Sequence, residues 1–207
     1  MDDDLMKNLK KVWILITVFP ILLIIGVFAL IAVVFSSASA TDDMLLKQFM
    51  VVPLEDNVNY IITSRFGYRD DPLEKQAFLR DNPGANLGSK QFSQEFHNAI
   101  DVVPRSSPNV VSVADGTVVW VGYSSAGGHT IYIEHNIMGT KFQTKYLHLK
   151  EGTLIVAEGD FVNQSQVIAE YGNSGARTTG AHLHFSVQKF DPKTNSLQYI
   201  DPIAIFE

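Results

Sequence analysis

Apolar and polar positions divide this 207-residue chain into three stretches of different character. Residues 12–35 are apolar and uncharged, interrupted only by Thr17, Pro20 and Gly26. About 20 such residues suffice to cross the hydrocarbon core of a bilayer, so this run predicts a transmembrane helix, in which Pro20 is tolerable. Lys7, Lys10 and Lys11 precede it and only Lys47 follows closely. The positive-inside rule then puts the leader, residues 1–11, in the cytoplasm and the rest of the chain outside. Ala38-Ser39-Ala40 has the small residues of a signal-peptide cleavage site, but signal h-regions run only about 7–15 residues. An uncleaved single-pass anchor is therefore the favoured reading.

Residues 36–59 read as a polar linker and a lead-in, of which residues 42–59 are positioned to cover a groove in the domain beyond them. From residue 60 onward, short β-branched runs alternate with turn residues, which predicts an all-β domain over 60–207. Candidate strands are 110–113, 117–121, 130–134, 142–149, 167–171 and 182–188, with Asp115-Gly116 and Gly127-Gly128 as turn signals. Between them, residues 70–96 carry Pro72, Pro83, Gly84 and Gly88 and read as a loop, with one helical turn at LEKQAFL. Loops of that length tend to be functional or mobile, so the stretch is either a wall of the substrate groove or a surface insertion.

Charge narrows the class of partner. The chain has 16 basic and 22 acidic residues, a formal net charge of −6. The leader's three lysines and three aspartates cancel, so the excess acid lies beyond it. An acidic domain lacks the basic patch that nucleic-acid binding requires, and the stripe that would attract anionic wall polymers at long range. The absence of cysteine rules out disulfides and a thiolate metal site.

The histidines carry the chemistry. Only six are present. His97 and Asp101 stand in FHNAID, His148 in KYLHL, and His182 and His184 in GAHLHF. Alternation along a strand puts His182 and His184 on one face, with Leu183 and Phe185 facing a core. The same rule puts Tyr146 with His148, and Leu147 with Leu149. Catalytic zinc sites use three His, Asp or Glu ligands and keep a fourth position open. His97, Asp101 and one histidine of the HLH pair meet that count, and two histidines remain for acid–base work. No HExxH is present, so proton transfer falls to histidine rather than to a helical glutamate. His129 and His135 read as structural.

SRFGYR (64–69), ADGTVVWVG (114–122), GGHTIYIEH (127–135), YLHL (146–149) and NSGARTTGAHLHF (173–185), in that order, resemble blocks of the lysostaphin-type zinc endopeptidases, which cut peptidoglycan peptides. The resemblance implies a mainly β, antiparallel sheet or sandwich domain of that type (the duplicated hybrid motif), here behind one N-terminal transmembrane helix. It implies one Zn2+ per chain on His97, Asp101 and His184, with His148 and His182 as the catalytic pair. Arg65 and Tyr68 are candidate contacts to substrate. Ala99 stands where the family usually has glycine, so the local backbone must be an ordinary one.

The expected protein is thus a zinc metalloendopeptidase at the bacterial cell membrane, acting on peptidoglycan peptides and possible companion of an envelope-spanning machine. The alternative is a non-catalytic scaffold or activator on the same fold, as in relatives that have lost ligands. Every ligand position is filled in this chain.

Overall fold

Alternation of apolar and polar side chains gives the central sheet two faces of different character, one for a core and one for the histidines. The computed structural model describes residues 46–206; the expected leader and membrane span lie outside them. Among the described residues, no helix is long and apolar enough to cross a membrane. The strands run β1 (Tyr60–Ser64), β2 (Gly67–Asp70), β3 (Gln94–His97), β4 (Ile100–Pro104), β5 (Asn109–Val111), β6 (Gly116–Ser124), β7 (Gly128–Ile137), β8 (Thr140–Leu149), β9 (Phe161–Val162), β10 (Val167–Glu170), β11 (Leu183–Asp191) and β12 (Ser196–Ile200).

Eight of them form an antiparallel sheet in the order β1-β4-β11-β8-β7-β6-β9, with β12 beside the second half of β11. Two small antiparallel ladders, β5–β10 and β2–β3, flank it. β7 and β8 join through Met138 and Gly139, both at positive φ (52° and 82°), the left-handed pair that matches a tight hairpin to strand twist. One continuous core holds Ile100 and Val102 of β4, Ile131 and Ile133 of β7, Tyr146 and Leu149 of β8, and Leu183, Phe185 and Val187 of β11. Val110 of β5 and Ile168 of β10 close it from the small ladder.

Two stretches differ from expectation. Residues 46–59 are no free lead-in: Leu46, Met50 and Leu54 are buried in the core, the Val51 N–H bonds the Val113 carbonyl, and Leu54 pairs with Val110. The 70–96 stretch contains a ten-residue helix, Pro72–Asp81, instead of a single turn. The Asp71 carboxylate caps it by accepting from the Leu73 and Glu74 N–H groups at 2.8 and 3.2 Å, Pro72 opens its first turn, and Arg80 stands in its last. None of its residues is buried, so it carries no apolar stripe by which the sequence pattern would reveal it.

A close approach ties the 173–180 loop to the start of β7. Gly128 has φ +68°, and a Cβ there would meet Ser174 Oγ at 2.2 Å and its carbonyl carbon at 2.3 Å. Gly128→Ala is therefore expected to destabilise the protein by at least about 2 kcal/mol, read as a lower denaturant midpoint. An unchanged midpoint would mean that the loop is not pinned there.

Candidate metal centre

The site lies on the face of the sheet turned away from the core, and strand register assembles most of it. Asp101 of β4 pairs with His184 of β11, which pairs in turn with Leu147 of β8. Ile100, Val102, Leu183 and Phe185 point the other way, into the core. His182 stands just ahead of β11, bridged to Gly172. His97 ends β3, opposite Gly67 of β2.

Alternation fails at one histidine. Tyr146 and Leu149 are both in the core, whereas Leu147 and His148 both line the cleft. The cause is a β-bulge: His129 pairs with Leu149 but Ile131 with Tyr146, so β8 carries one residue more than β7 over this span. His148 takes the irregularity in its own backbone, at φ +61°. A left-handed histidine is uncommon and strained. Here it delivers a side chain to the site that the pleat would have sent to the core.

Three potential ligand atoms converge. His97 Nε2 lies 3.2 Å from His184 Nδ1 and 3.2 Å from Asp101 Oδ1, and His184 Nδ1 lies 2.9 Å from Asp101 Oδ1. Donors on a tetrahedral zinc at about 2.0–2.1 Å would stand about 3.3 Å apart, so the triangle fits such an ion. Surrounding groups orient each donor. His97 Nδ1–H donates to the Arg65 carbonyl at 2.9 Å, which turns Nε2 inward. Arg69 donates from Nη1 to Asp101 Oδ2 at 2.9 Å, leaving Oδ1 to the triangle. The same nitrogen bonds Ser64 Oγ at 2.6 Å, and the rest of the guanidinium grips Glu95 Oε1.

His148 and His182 stand beside the triangle, their ring centres 4.9 Å apart. His148 Nδ1–H donates to the Ser174 carbonyl at 2.8 Å, and His182 Nδ1–H to the Gly180 carbonyl at 2.7 Å. Each therefore has Nε2 as its free nitrogen. That of His182 is 3.5 Å from Asp101 Oδ1. Ser174 is itself fixed, its hydroxyl donating to the Leu149 carbonyl at 2.6 Å.

Burial opposes the charge of Asp101, but hydrogen bonds and charge from His184 and His97 outweigh it and hold the carboxyl well below the ordinary range. Burial pushes His148 down to about 4, helped by His182 and His184 and resisted by the Ser174 carbonyl. It lowers His184 too, against the pull of Asp101.

These groups line a cleft of about 540 Å3. Arg65 and Tyr68 do not: Arg65 serves through its carbonyl and exposes its side chain, and Tyr68 is 81% exposed against the Phe96 ring. The arginine of SRFGYR that reaches the site is Arg69, because alternation along β2 turns it away from Tyr68. That pattern was present in the motif. Nothing in the residue types foretold Ser174. None of residues 46–59 lines the cleft. His135 is buried elsewhere, bonded to the Asp115 carbonyl and to Thr144 Oγ1, and His129 packs on Tyr123.

A family model described as peptidase family M23 matches residues 95–202. A Haemophilus influenzae protein called an uncharacterized metalloprotease is 36% identical over 121 residues, 58% of this chain and 24% of that protein. The Escherichia coli murein hydrolase activator NlpD is 30% identical over 109 residues, 52% of this chain and 27% of its own. The chain thus spans about a quarter of the length of these two relatives. The SpoIIQ–SpoIIIAH pore-forming complex contains a similar fold, with a TM-score of 0.53 at 19% identity over 77% of this chain and 91% of that one.

Arg69→Met should weaken divalent-metal binding about 10- to 100-fold, measured by competition with a chromophoric chelator; unaltered affinity would show that Asp101 needs no such support. Acidity should act on the metal-free protein as well. His135, His148 and His184 are all held below the ordinary histidine value of 6.5. The unfolded chain therefore takes up protons that the folded one refuses. Their contribution to stability is intact above pH 6.5 and falls as the pH drops towards 4. Denaturant midpoints across that window should decline, and His135→Gln should flatten the slope.

Proposed function

The chain belongs to peptidase family M23, and we propose that it is a zinc endopeptidase that hydrolyses peptide bonds in the cross-bridges or stem peptides of peptidoglycan. In this reading residues 12–35 anchor it as a single-pass protein of the bacterial cell membrane, N-terminus in the cytoplasm and catalytic domain outside. One observation carries the proposal: a triangle of three metal-donor atoms, 2.9–3.2 Å on a side, next to two imidazoles whose free nitrogens are both Nε2.

His97, Asp101 and His184 would hold the ion, and with Asp101 as the one charged ligand the centre keeps a net positive charge. Bound zinc would supply a Lewis acid for the scissile carbonyl and acidify water to a pKa of about 7. His148 and His182 move the protons. With Nδ1–H committed to a carbonyl, each has Nε2 available to accept a proton during attack and to return one to the leaving amine. While protonated, the same nitrogen donates to the oxygen that is gaining negative charge. Both offer the same atom, so the pair shares these tasks. Ala126, Gly127 and Leu147 also line the cleft along which a peptide would lie.

The name of the Escherichia coli relative favours a second reading, activation of a separate murein hydrolase. The two part on the full-length chain, purified without added metal and tested on purified peptidoglycan. The enzyme is expected to carry about one zinc and to release peptides in a chelator-sensitive manner. His184→Ala should lose metal and activity together. His148→Ala should keep metal and lose at least about 100-fold in turnover. Stoichiometric zinc without cleavage of any wall type, combined with stimulation of an added hydrolase, would replace the peptidase reading by the activator one.

A further inference from the structure

One wall of the cleft is made by the first turns of the helix Pro72–Asp81 and by the loop carrying Arg177 and Thr179. The two are in contact. Gln76 Nε2 donates to the Thr179 carbonyl at 3.2 Å, and Arg177 Nη2 lies 3.9 Å from Asp71 Oδ2. Lys75 stands one turn beyond the Asp71 cap, on the part of the helix that shares the cleft with Arg177. Both side chains line the cleft together with the metal centre.

The acidic groups of this wall already have partners. Glu95 takes Arg69 on one oxygen and Arg177 on the other. Asp70 accepts the Gln94 side-chain amide, and Asp71 caps the helix. Lys75, by contrast, has no ion pair among the described residues, although it is only partly exposed. Arg177 uses Nη2 alone for its acidic partners, so Nε and Nη1 remain as donors on a half-exposed guanidinium. A compact ammonium and a partly free guanidinium lining one cleft can together receive a carboxylate. The path of ion pairs from Arg177 through Glu95 and Arg69 ends at Asp101. That places the receptor within roughly three residues of extended peptide from the donor triangle.

We propose that Lys75 and Arg177 form a carboxylate-binding subsite that directs this cleft to acidic, stem-type peptides and away from neutral bridge peptides. The inference rests on the peptidase reading for its catalytic consequence, while the binding it describes needs no cleavage. A neutral glycyl bridge leaves the Lys75 charge without a partner in the cleft. A stem peptide, with free carboxylates spaced along it, supplies one.

The probes are the tetrapeptide L-Ala-γ-D-Glu-L-Lys-D-Ala with free carboxylates and the same peptide with every carboxylate as a carboxamide. Calorimetric binding to full-length protein is measured for the wild type, Lys75→Gln, Arg177→Gln and the double variant. Longer acid and amide pairs spanning a scissile bond give kcat/KM. The wild type should bind the acid form at least about tenfold more tightly, with the preference weakening as salt screens it. Each single variant should lose most of that preference, and the double variant all of it, with the change in kcat/KM arising mainly in KM. Carboxylate-dependent binding without cleavage would retain the subsite and discard the peptidase reading. Cleavage with equal preference for acid and amide would do the reverse. A preference that survives in the double variant would overturn the subsite, and circular dichroism of that variant guards against misfolding as the cause of any loss.

Discussion

Three electron-pair donors held about 3 Å apart cannot coexist without a positive charge between them, and much of this domain is arranged around that constraint. His97 Nε2, His184 Nδ1 and Asp101 Oδ1 would repel one another as bare acceptors. A proton relieves one side of the triangle, where His184 as the Nδ1–H tautomer donates to Asp101 at 2.9 Å, while His97 Nε2 and Asp101 Oδ1 still face each other at 3.2 Å. Metal binding must displace that proton, which couples affinity to pH. The outer groups work in both states. The Arg65 carbonyl fixes the His97 tautomer, and Arg69 draws Oδ2 of Asp101 away from the triangle. The aspartate is thus poised to bind through one oxygen, and the guanidinium offsets part of the cost of burying its charge.

The sheet supplies the rigidity that such a site requires. β4 and β11 lie side by side in its interior, each with one face in the core and the other carrying ligands. Moving His184 relative to Asp101 would mean slipping the register between these strands, which would expose Leu183 and Phe185. Apolar burial on one face therefore fixes ligand geometry on the other. His148 is secured differently. Its strained backbone leaves the pleat, and its direction depends on Ser174, whose loop is pinned by the close approach of Gly128.

How far the sequence revealed this depends on which forces act locally. Strict alternation holds through HLHF, so the shared face of His182 and His184 was legible from residue type alone. It misplaced His148, because a bulge depends on the partner strand β7 and leaves no mark in KYLHL. The helix Pro72–Asp81 escaped for a related reason. With no buried residue it has no apolar period, and its remaining signal was the cap-and-proline pair Asp71-Pro72. Arg69 was legible in principle, since alternation along GYRD separates it from Tyr68; residue type alone does not distinguish it from Arg65. The 46–54 stretch looked like a lead-in because its partners, Val113 for Val51 and Val110 for Leu54, lie some sixty residues further on.

The acid excess of the chain argued against long-range attraction to anionic wall polymers, and that argument stands at the distances to which it applies. At physiological ionic strength exposed charges are screened beyond about 8 Å. A net charge of −6 spread over the chain therefore says little about the potential inside the cleft. There the local balance differs. Glu95 and Asp101 are paired with Arg69 and Arg177, and the carboxylates nearest Lys75, those of Asp70 and Asp71, are taken up by an amide and by helix N–H groups. A metal ion would add further positive charge on the same side. An acidic peptide would gain no steering from the body of the protein, yet would meet the Lys75 ammonium and the unused Arg177 donors once within contact range. Affinity for such a peptide would then reside in Lys75 of the 70–96 segment and Arg177 of the 173–180 loop, side chains that contribute nothing to the apolar core. Selectivity can change there without disturbing the strands that hold the ligands.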